Sequence, residues 1–243
     1  MVNVPAFQAG YRGSIPLTRS NGIIAFMNDQ IAREIKRRLP AEGRRVVFVC
    51  GLGGAGKTEF CRRYARTPGL EGPILHLDWY LKYPSRERRR RMAEAVASED
   101  PARIDAEENS LNWQDWPLTI AAIRAMRKTG KLHVENGWIQ ATGEKTFTGD
   151  IEAGENDVIW CDLVSLLHPE VASLADVVIL LEVSPDTTDK RGNTRDQHRN
   201  DPEYLAYKAA IRRKYDTPYF RRYRTAADLI IDNSDFEHPR VVS

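Results

Sequence analysis

A glycine-rich segment, GLGGAGKT, occupies positions 51–58 of the 243-residue chain. It matches the pattern GxxxxGK[ST] in full, and an apolar run precedes it while a helical pattern follows it. Glycines let such a loop wrap closely around phosphate groups, so that backbone N–H groups and the next helix N-terminus face the anion. Lys57 would then bridge the β- and γ-phosphates, and the Thr58 hydroxyl would bind Mg²⁺. The residues predicted to hold a nucleotide here are Gly51, Gly53, Gly54, Ala55, Gly56, Lys57 and Thr58.

Two aspartates stand where predicted strands end: Asp78 follows an apolar run at 73–77, and Asp162 follows another at 158–161. In an open α/β sheet, ligands bind at the carboxyl ends of the strands. Phosphoryl transfer to a hydroxyl needs positioning, charge neutralisation and a group that takes the hydroxyl proton. We expect Asp78 to take that proton and Asp162 to hold Mg²⁺, directly or through water. For each aspartate, an ordinary turn or cap role is the alternative.

Aromatic and polar side chains elsewhere in the chain could line a pocket for the phosphoryl acceptor. An aromatic ring can stack on a ring of the acceptor, although aromatic residues more often belong to the core. The candidates are Tyr80, Trp113, Trp116 and Trp138, with Lys82 and Glu135 as polar partners. We expect His76, within a buried strand, to be structural, and Cys50 and Cys161 to be core thiols.

Basic residues concentrate first at Arg86–Arg91, which contains five arginines and one glutamate. The pattern predicts a solvated helix face on which Glu87 pairs with arginines three or four positions away. A clamp for an anionic acceptor such as a sugar phosphate is the first alternative. A nucleic-acid patch is the second, and the lack of interleaved aromatic residues argues against it.

Further basic residues, in a polar segment that also contains Gly192, are Lys190, Arg191, Arg195 and Arg199. Such a segment suits a mobile lid that closes over ATP and brings positive charge to the transferring phosphoryl group. A charged surface helix is the alternative. The later basic cluster at 212–224 is interleaved with tyrosine and phenylalanine, and we expect it to serve packing and surface roles.

The elements that must position these groups follow from the hydrophobic pattern. Continuous apolar runs, typical of parallel strands covered on both faces, lie at 45–50, 73–78, 158–161, 177–182 and 229–231. Helical patterns lie at 22–39, 58–66, 85–98, 117–129, 187–193 and 202–215. The stretch 131–150 alternates and contains turn signals at Asn136-Gly137 and Thr142-Gly143, which predict a β-hairpin.

Composition sets the broad class of the protein. The apolar share of 42% excludes a disordered chain, and the net charge of +2 argues against a dedicated nucleic-acid or membrane-surface binder. Three widely spaced cysteines are predicted to be free thiols in a reducing compartment. No signal-peptide pattern and no membrane-length apolar run is found, so we expect a cytoplasmic protein. A homo-oligomer is left open.

Between Arg45 and Asp235 the chain resembles the uridine kinase and phosphoribulokinase group of P-loop kinases. Asp78-Trp79-Tyr80 is similar to the group's Asp followed by aromatic residues, and that Asp is the group's catalytic base. The run 112-NWQDWP-117 resembles an acceptor-site segment with one residue inserted, which implies a substrate role for Asp115. Asp162-Leu163 stands where the group has Glu-Gly.

Later in the chain, Arg195-Asp196 matches the lid dipeptide of the same group, whose arginine contacts nucleotide phosphates. Arg191-Gly192 departs from the two adjacent arginines expected before it, which bears on ribose recognition. The resemblance implies a three-layer α/β/α fold with a five-stranded, mainly parallel sheet in the order 2-3-1-4-5. A β-hairpin and an N-terminal helix would be added to it.

The sequence therefore predicts one kinase domain over residues 1–243, with a flexible arm at 1–20, a core at 45–235 and a lid at about 187–200. ATP and Mg²⁺ are the expected cofactors, and the expected reaction is γ-phosphoryl transfer to a hydroxyl of a small molecule. Alternatives are a zeta-toxin-like or antibiotic-modifying kinase, a nucleoside monophosphate kinase, and a non-catalytic ATP-binding regulatory module. The sequence has no NKxD guanine signature and no LSGGQ-like run, which argues against a GTPase switch and an ABC ATPase.

Overall fold

The computed structural model describes residues 30–195 and 202–242. Its strands are β1 (Arg45–Gly51), β2 (Ile74–His76), β3 (Lys131–Trp138), β4 (Lys145–Glu152), β5 (Val158–Asp162), β6 (Val177–Glu182), β7 (Leu229–Asp232) and β8 (Arg240–Val241). Six of them form one sheet in the order β2-β5-β1-β6-β7-β8. The first five run parallel, and β8 is antiparallel to β7. The parallel part has the expected order, and the antiparallel sixth strand was not predicted.

Helices cover both faces of this sheet. They are α1 (Gln30–Arg38), α2 (Lys57–Tyr64), α3 (Ser85–Ala97), α4 (Pro101–Glu108), α5 (Trp116–Thr129), α6 (Pro169–Ala172), α7 (Pro185–Arg195), α8 (Pro202–Ile211) and α9 (Thr217–Tyr223). Short 3-10 turns cover Leu77–Tyr80, Ser110–Trp113 and Arg224–Ala226, and a π-helical turn covers Arg212–Asp216. The pattern at 202–215 predicts one continuous helix, whereas the chain changes helical type at Arg212.

Apolar residues on both sides of the central strands explain the three layers. On one face, alternate residues of β1 pack with α1 and α2; on the other, the intervening residues pack with α5, α6 and α9. All five residues of β5 are buried, as expected for a strand inside a parallel sheet. The free thiols Cys50, Cys61 and Cys161 are buried in these two cores, which confirms the prediction that Cys50 and Cys161 are core thiols.

The predicted hairpin is present as β3 and β4, but one of its turn signals is not a turn. Asn136-Gly137 lies inside β3, where the register shifts and Asn136 takes a positive φ of 55°. This irregularity is a bulge of the kind that re-aims side chains along a strand. The chain reverses later, where Gly143 takes a φ of 75°.

Some sequence predictions fall outside the described residues. The arm at 1–20 and the first part of the helix predicted at 22–39 belong to this group, and α1 is described from Gln30 onward. The predicted lid is described as α7, while 196–200 is outside. Across residues 30–195 and 202–242, no helix is both long and apolar enough to cross a lipid bilayer.

Candidate active site

The phosphate loop lies between β1 and α2, as its sequence predicts. Gly54 and Gly56 take φ values of 96° and 89°, which L-residues with side chains rarely adopt, and α2 begins at Lys57. The Lys57 ammonium reaches back over the loop to the carbonyl oxygens of Gly51 and Leu52, at 3.0 and 3.2 Å. A loop with this backbone and this lysine fits a nucleotide polyphosphate.

Neighbouring elements hold the loop in this shape. A Cβ on Gly54 would lie 2.6 Å from the backbone oxygen of Thr188 in α7, so only glycine fits at this contact. On the other side, the buried Asn233 donates its side-chain N–H to the carbonyl oxygen of Ala55 at 2.7 Å. The loop is therefore fixed by α7 and by the segment that follows β7.

A buried carboxylate, Asp162, lies at the carboxyl end of β5. The Thr58 hydroxyl donates to its Oδ2 at 2.6 Å, and His76 Nδ1 lies 2.9 Å from its Oδ1. Burial favours a raised pKa for Asp162, but the hydrogen bonds from His76 and Thr58 and the charge of Lys57 outweigh it, so that pKa is lowered. The structure thus brings together the hydroxyl and the carboxylate that the sequence predicts as Mg²⁺ ligands.

The chemistry of these donors fits Mg²⁺. This ion is bound in phosphoryl-transfer sites by one or two protein oxygens together with phosphate oxygens and water. Thr58 and Asp162 supply two such oxygens beside the phosphate loop. Within the described ranges 30–195 and 202–242, no group of three or more His, Cys, Asp or Glu side chains could hold a metal by itself.

Asp78 lies in the 3-10 turn that follows β2, two residues beyond the strand rather than at its last residue. Burial raises its pKa, and the negative charge of Asp162 raises it further. The positive charges of Lys57 and Arg88 act in the opposite direction without cancelling the shift. A partly buried carboxyl group with a raised pKa, within the field of the phosphate-loop lysine, is suited to accept a proton.

Aromatic rings and one arginine surround the approach to this turn. Trp79 stacks on Phe147 of the hairpin, with ring centroids 4.6 Å apart. The Arg88 guanidinium lies 5.2 Å from the Trp113 ring centre and 5.0 Å from that of Trp138. The hairpin therefore covers the Asp78 turn and brings two of the predicted acceptor residues around one cation.

Three polar atoms in this region are buried and have no hydrogen-bond partner among the described residues. They are the Tyr80 hydroxyl, Trp138 Nε1 and Gln114 Oε1. Buried polar groups are almost always paired in native proteins, so an unpaired set beside a candidate site indicates a missing partner such as a ligand or water. Gln114 was not predicted as a site residue; it precedes Asp115 in the segment that the resemblance singles out.

The other predicted acceptor residues occupy different positions. Lys82 is exposed and donates to the carbonyl oxygen of Asn112 at 2.9 Å. Asp115 is the N-cap of α5, where its side chain accepts the N–H of Leu118 at 3.1 Å. Glu135 is exposed on β3. Trp116 packs on the core and donates its Nε1 to the Leu111 carbonyl oxygen, which favours a structural role.

The arginine run Arg86–Arg91 lies on α3, and its members make different contacts. Arg90 pairs with Glu87 and Glu94, the helical pairing expected for a solvated face. Arg91 pairs with Glu107 of α4 at 2.6 Å. Arg88 donates to the Ser85 hydroxyl at 3.0 Å, and its guanidinium lies near the indoles of Trp113 and Trp138.

Among the lid residues, Arg191 contacts the segment after β7. It donates to the carbonyl oxygens of Asn233 and Ser234, at 3.1 and 2.5 Å, and its guanidinium lies 3.7 Å from the Phe236 ring centre. This places Arg191 beside the phosphate loop, because a Cβ on Gly56 would also touch Phe236. The side chain of Arg195 and the whole of Arg199 lie outside the described residues.

Three residues near the phosphate loop and Asp162 were expected to have other roles or were not considered. His76, expected to be structural, contacts the Asp162 carboxylate, and that hydrogen bond raises its pKa against the effect of burial. Asp216, in the π-helical turn, accepts a hydrogen bond from Ser110 at 2.7 Å and lies in the field of Lys57. Arg212, expected to have a packing or surface role, is largely buried beside the phosphate loop and pairs with Asp189. The register of β2 with β5, which pairs His76 with Asp162, is the signal that could have revealed the histidine.

Comparison with known proteins supports the fold. No protein-family model matches the sequence, and no curated protein sequence matches it significantly. A solved structure described as a candidate fructose transport system kinase from Silicibacter sp. TM1040 superposes with a TM-score of 0.59 and 17% identity, covering 82% of this chain and 96% of that one.

Two further structures agree. A protein described as a possible uridine kinase from Bacillus stearothermophilus gives a TM-score of 0.55 at 16% identity, over 82% of this chain and 94% of that one. Phosphoribulokinase from Rhodobacter spheroides gives a TM-score of 0.56 at 13% identity, over 79% of this chain and 73% of that one. The chain therefore shares its fold with these three proteins, which agrees with the fold that the sequence resemblance implied.

Proposed function

We propose that this protein is an ATP- and Mg²⁺-dependent kinase that transfers the γ-phosphoryl group to a hydroxyl of a small molecule, such as a nucleoside or a sugar. The observation that carries the proposal is that three groups lie close together at the carboxyl ends of the parallel strands. A phosphate loop, a Thr58–Asp162 oxygen pair and the Asp78 carboxyl group lie together there. This combination would supply nucleotide binding, metal binding and a proton acceptor.

The residues of this chain divide the work. The loop backbone and Lys57 bind the β- and γ-phosphates, while Thr58 and Asp162 hold Mg²⁺, which would neutralise phosphate charge when bound. His76 fixes the orientation of the Asp162 carboxylate through its 2.9 Å contact. Arg191, and Arg195 and Arg199 of the lid, are proposed to bring further positive charge to the phosphates.

Asp78 is the proposed general base. The acceptor oxygen forms a bond to the γ-phosphorus, the bond between that phosphorus and the β,γ-bridging oxygen breaks, and ADP leaves. The hydroxyl proton passes to the Asp78 carboxylate. A raised pKa makes this carboxylate a better proton acceptor than an ordinary aspartate, and its activity requires the ionised form.

The acceptor is proposed to bind between the Asp78 turn, the hairpin and α3. Trp113 and Trp138 offer aromatic faces and Tyr80 a hydroxyl, and the unpaired buried atoms Trp138 Nε1 and Gln114 Oε1 offer a donor and an acceptor. Lys82 and Glu135 are exposed and Asp115 caps α5, so in this proposal they lie at the rim of the acceptor site rather than inside it.

The experiment that tests this function measures ADP release from MgATP across a panel of nucleosides, pentoses, sugar phosphates and aminoglycosides. Asp78→Asn is compared with wild type and with Asp100→Asn, which alters an exposed N-cap of α4 that asparagine can also serve. We expect one acceptor class to stimulate the wild type, Asp78→Asn to lose about 10²–10⁴-fold in kcat, and Asp100→Asn to retain activity.

Two outcomes would contradict the proposal. Normal turnover by Asp78→Asn would point to an acceptor that needs no base, as in a nucleoside monophosphate kinase. ATP binding without turnover on any acceptor would favour a nucleotide-binding regulatory module.

A further inference from the structure

The π-helical turn at Arg212–Asp216 places one arginine directly against the phosphate loop. The Arg212 side chain is only 12% exposed. A Cβ on Gly53 would lie 3.9 Å from both its Cδ and its Nη1, and a Cβ on Gly192 of α7 would lie 3.4 Å from the same Nη1. Its guanidinium therefore lies between the middle of the loop and the proposed lid helix.

The hydrogen bonds of Arg212 do not use all of the N–H donors of its guanidinium group. One nitrogen, Nη2, donates to Asp189 of α7, and that carboxylate also binds the exposed Arg213 at 2.8 Å. The Nε of Arg212 is buried and has no hydrogen-bond partner among the described residues. An unpaired buried N–H is costly, and it is accounted for if a ligand supplies the acceptor.

A second charged group of the same turn, Asp216, also lies on its buried side and accepts a hydrogen bond from the Ser110 hydroxyl at 2.7 Å. Asp216 is buried, and the charges of Lys57 and Arg212 both act on it. Arg212 and Asp216 are therefore on the buried side of the turn, whereas Arg213 and Lys214 are exposed. π-helical turns inside longer helices often occur at functional sites, which agrees with this placement.

We propose that Arg212 is a phosphate-binding residue that contacts the γ-phosphoryl group of the nucleotide. The inference rests on the proposed function for the identity of the ligand, a nucleoside triphosphate. A guanidinium fork pairs with two phosphate oxygens at once, so Arg212 would stabilise the charge on the group being transferred. The ion pair with Asp189 fixes the position of the Arg212 side chain next to α7. A purely structural ion pair with Asp189 is the competing explanation.

The test compares binding of MgADP with binding of a non-hydrolysable MgATP analogue by calorimetry, because only the analogue carries a γ-phosphate. The variants are Arg212→Gln and, as a more conservative change, Arg212→Lys. Arg213→Gln is the matched control, since it removes the neighbouring arginine from the same Asp189 carboxylate. Circular dichroism establishes that each variant is folded.

We expect Arg212→Gln to weaken analogue binding by about tenfold to a hundredfold, the range for charged hydrogen bonds. MgADP affinity should change by less than about threefold, Arg212→Lys should be intermediate, and Arg213→Gln should match wild type. Equal losses for both ligands, or an equal loss in Arg213→Gln, would overturn the assignment in favour of the structural ion pair. Because the readout needs no acceptor, a failure of phosphoryl transfer would contradict the kinase proposal and leave this result standing.

Discussion

The contact between Asp162 and His76 allows the change in the free energy of unfolding on substitution of Asp162 to be predicted. Replacing Asp162 by asparagine keeps the side-chain volume but removes the charge that the Thr58 hydroxyl and the His76 ring bind. Asp162 is only 6% exposed, so the solvent screening that weakens surface pairs is small here. We expect Asp162→Asn to unfold at a lower temperature than wild type in the absence of nucleotide.

The size of the loss follows from the hydrogen bonds. Bonds to a charged group contribute about 1.5–3 kcal/mol each, and asparagine can keep one of the two. The loss is partly offset because Asp78 no longer faces a neighbouring negative charge. A net loss of about 2 kcal/mol lowers the melting temperature of a chain of this length by about 4–8 °C.

The pH dependence has a definite sign. The lowered pKa of Asp162 means that its stabilising contribution is present above its ordinary value of 3.8 and is lost as the pH falls through the folded-state pKa. The raised pKa of His76 means that its contribution is present below 6.5 and is lost as the pH rises through the folded-state pKa. The cost of Asp162→Asn should therefore be greatest between about pH 4 and 6.5.

Thermal unfolding followed by circular dichroism at pH 5, 6 and 8.5 provides the assay. The matched control is Asp150→Asn, which alters a second His–Asp pair at 2.7 Å to His133, whose side chains are 58% and 78% exposed. An exposed pair of this kind contributes about 0–1 kcal/mol. The reasoning is refuted if the two variants lose the same stability, or if the loss in Asp162→Asn is unchanged from pH 5 to pH 8.5.

Two further substitutions test the loop and the acceptor region. Gly54→Ala would force a Cβ to within 2.6 Å of the Thr188 backbone oxygen at a φ of 96°, so we expect a loss of at least about 1 kcal/mol and weaker MgATP binding by calorimetry. Gly43→Ala, with a φ of 82° and open space around it, should lose stability without losing MgATP affinity; equal affinities in both variants would contradict the steric account. Trp138→Phe removes a buried, unpaired N–H and should leave the melting temperature unchanged or higher while raising the KM for the acceptor. An unchanged KM would remove Trp138 from the acceptor site.

Two parts of the candidate site, the phosphate loop and Asp162, could be predicted because local sequence patterns determine where they lie. The phosphate loop is a local pattern, and its shape depends on glycine positions that a reader can see. Asp162 could be predicted because β5 runs parallel to β1. The last residue of β5 therefore lies at the same end of the sheet as the phosphate loop that follows β1. The strand register then determines that His76 lies beside Asp162, which could be inferred only after the strand order was known.

The remaining features depend on packing that no local pattern shows. The change from α- to π-helix at Arg212 has no signal in the apolar periodicity, so its inward direction could not be seen. Asn136-Gly137 is typical of a hairpin turn, yet tertiary contacts to Trp79 make it a bulge, since a Cβ on Gly137 would lie 3.1 Å from the Trp79 Cβ. Local preference is overruled there by the packing of the hairpin on the site.

The two ends of the central sheet have a consequence for behaviour in concentrated solution. One edge is β2, with three residues, and the other is β8, with two. Short edge strands present few unpaired backbone groups, and the exposed Arg240 in β8 adds a charge at that border. Strand addition from another molecule would therefore gain little pairing energy. Within residues 30–195 and 202–242, the two edges of the central sheet are therefore poor sites for edge-to-edge aggregation.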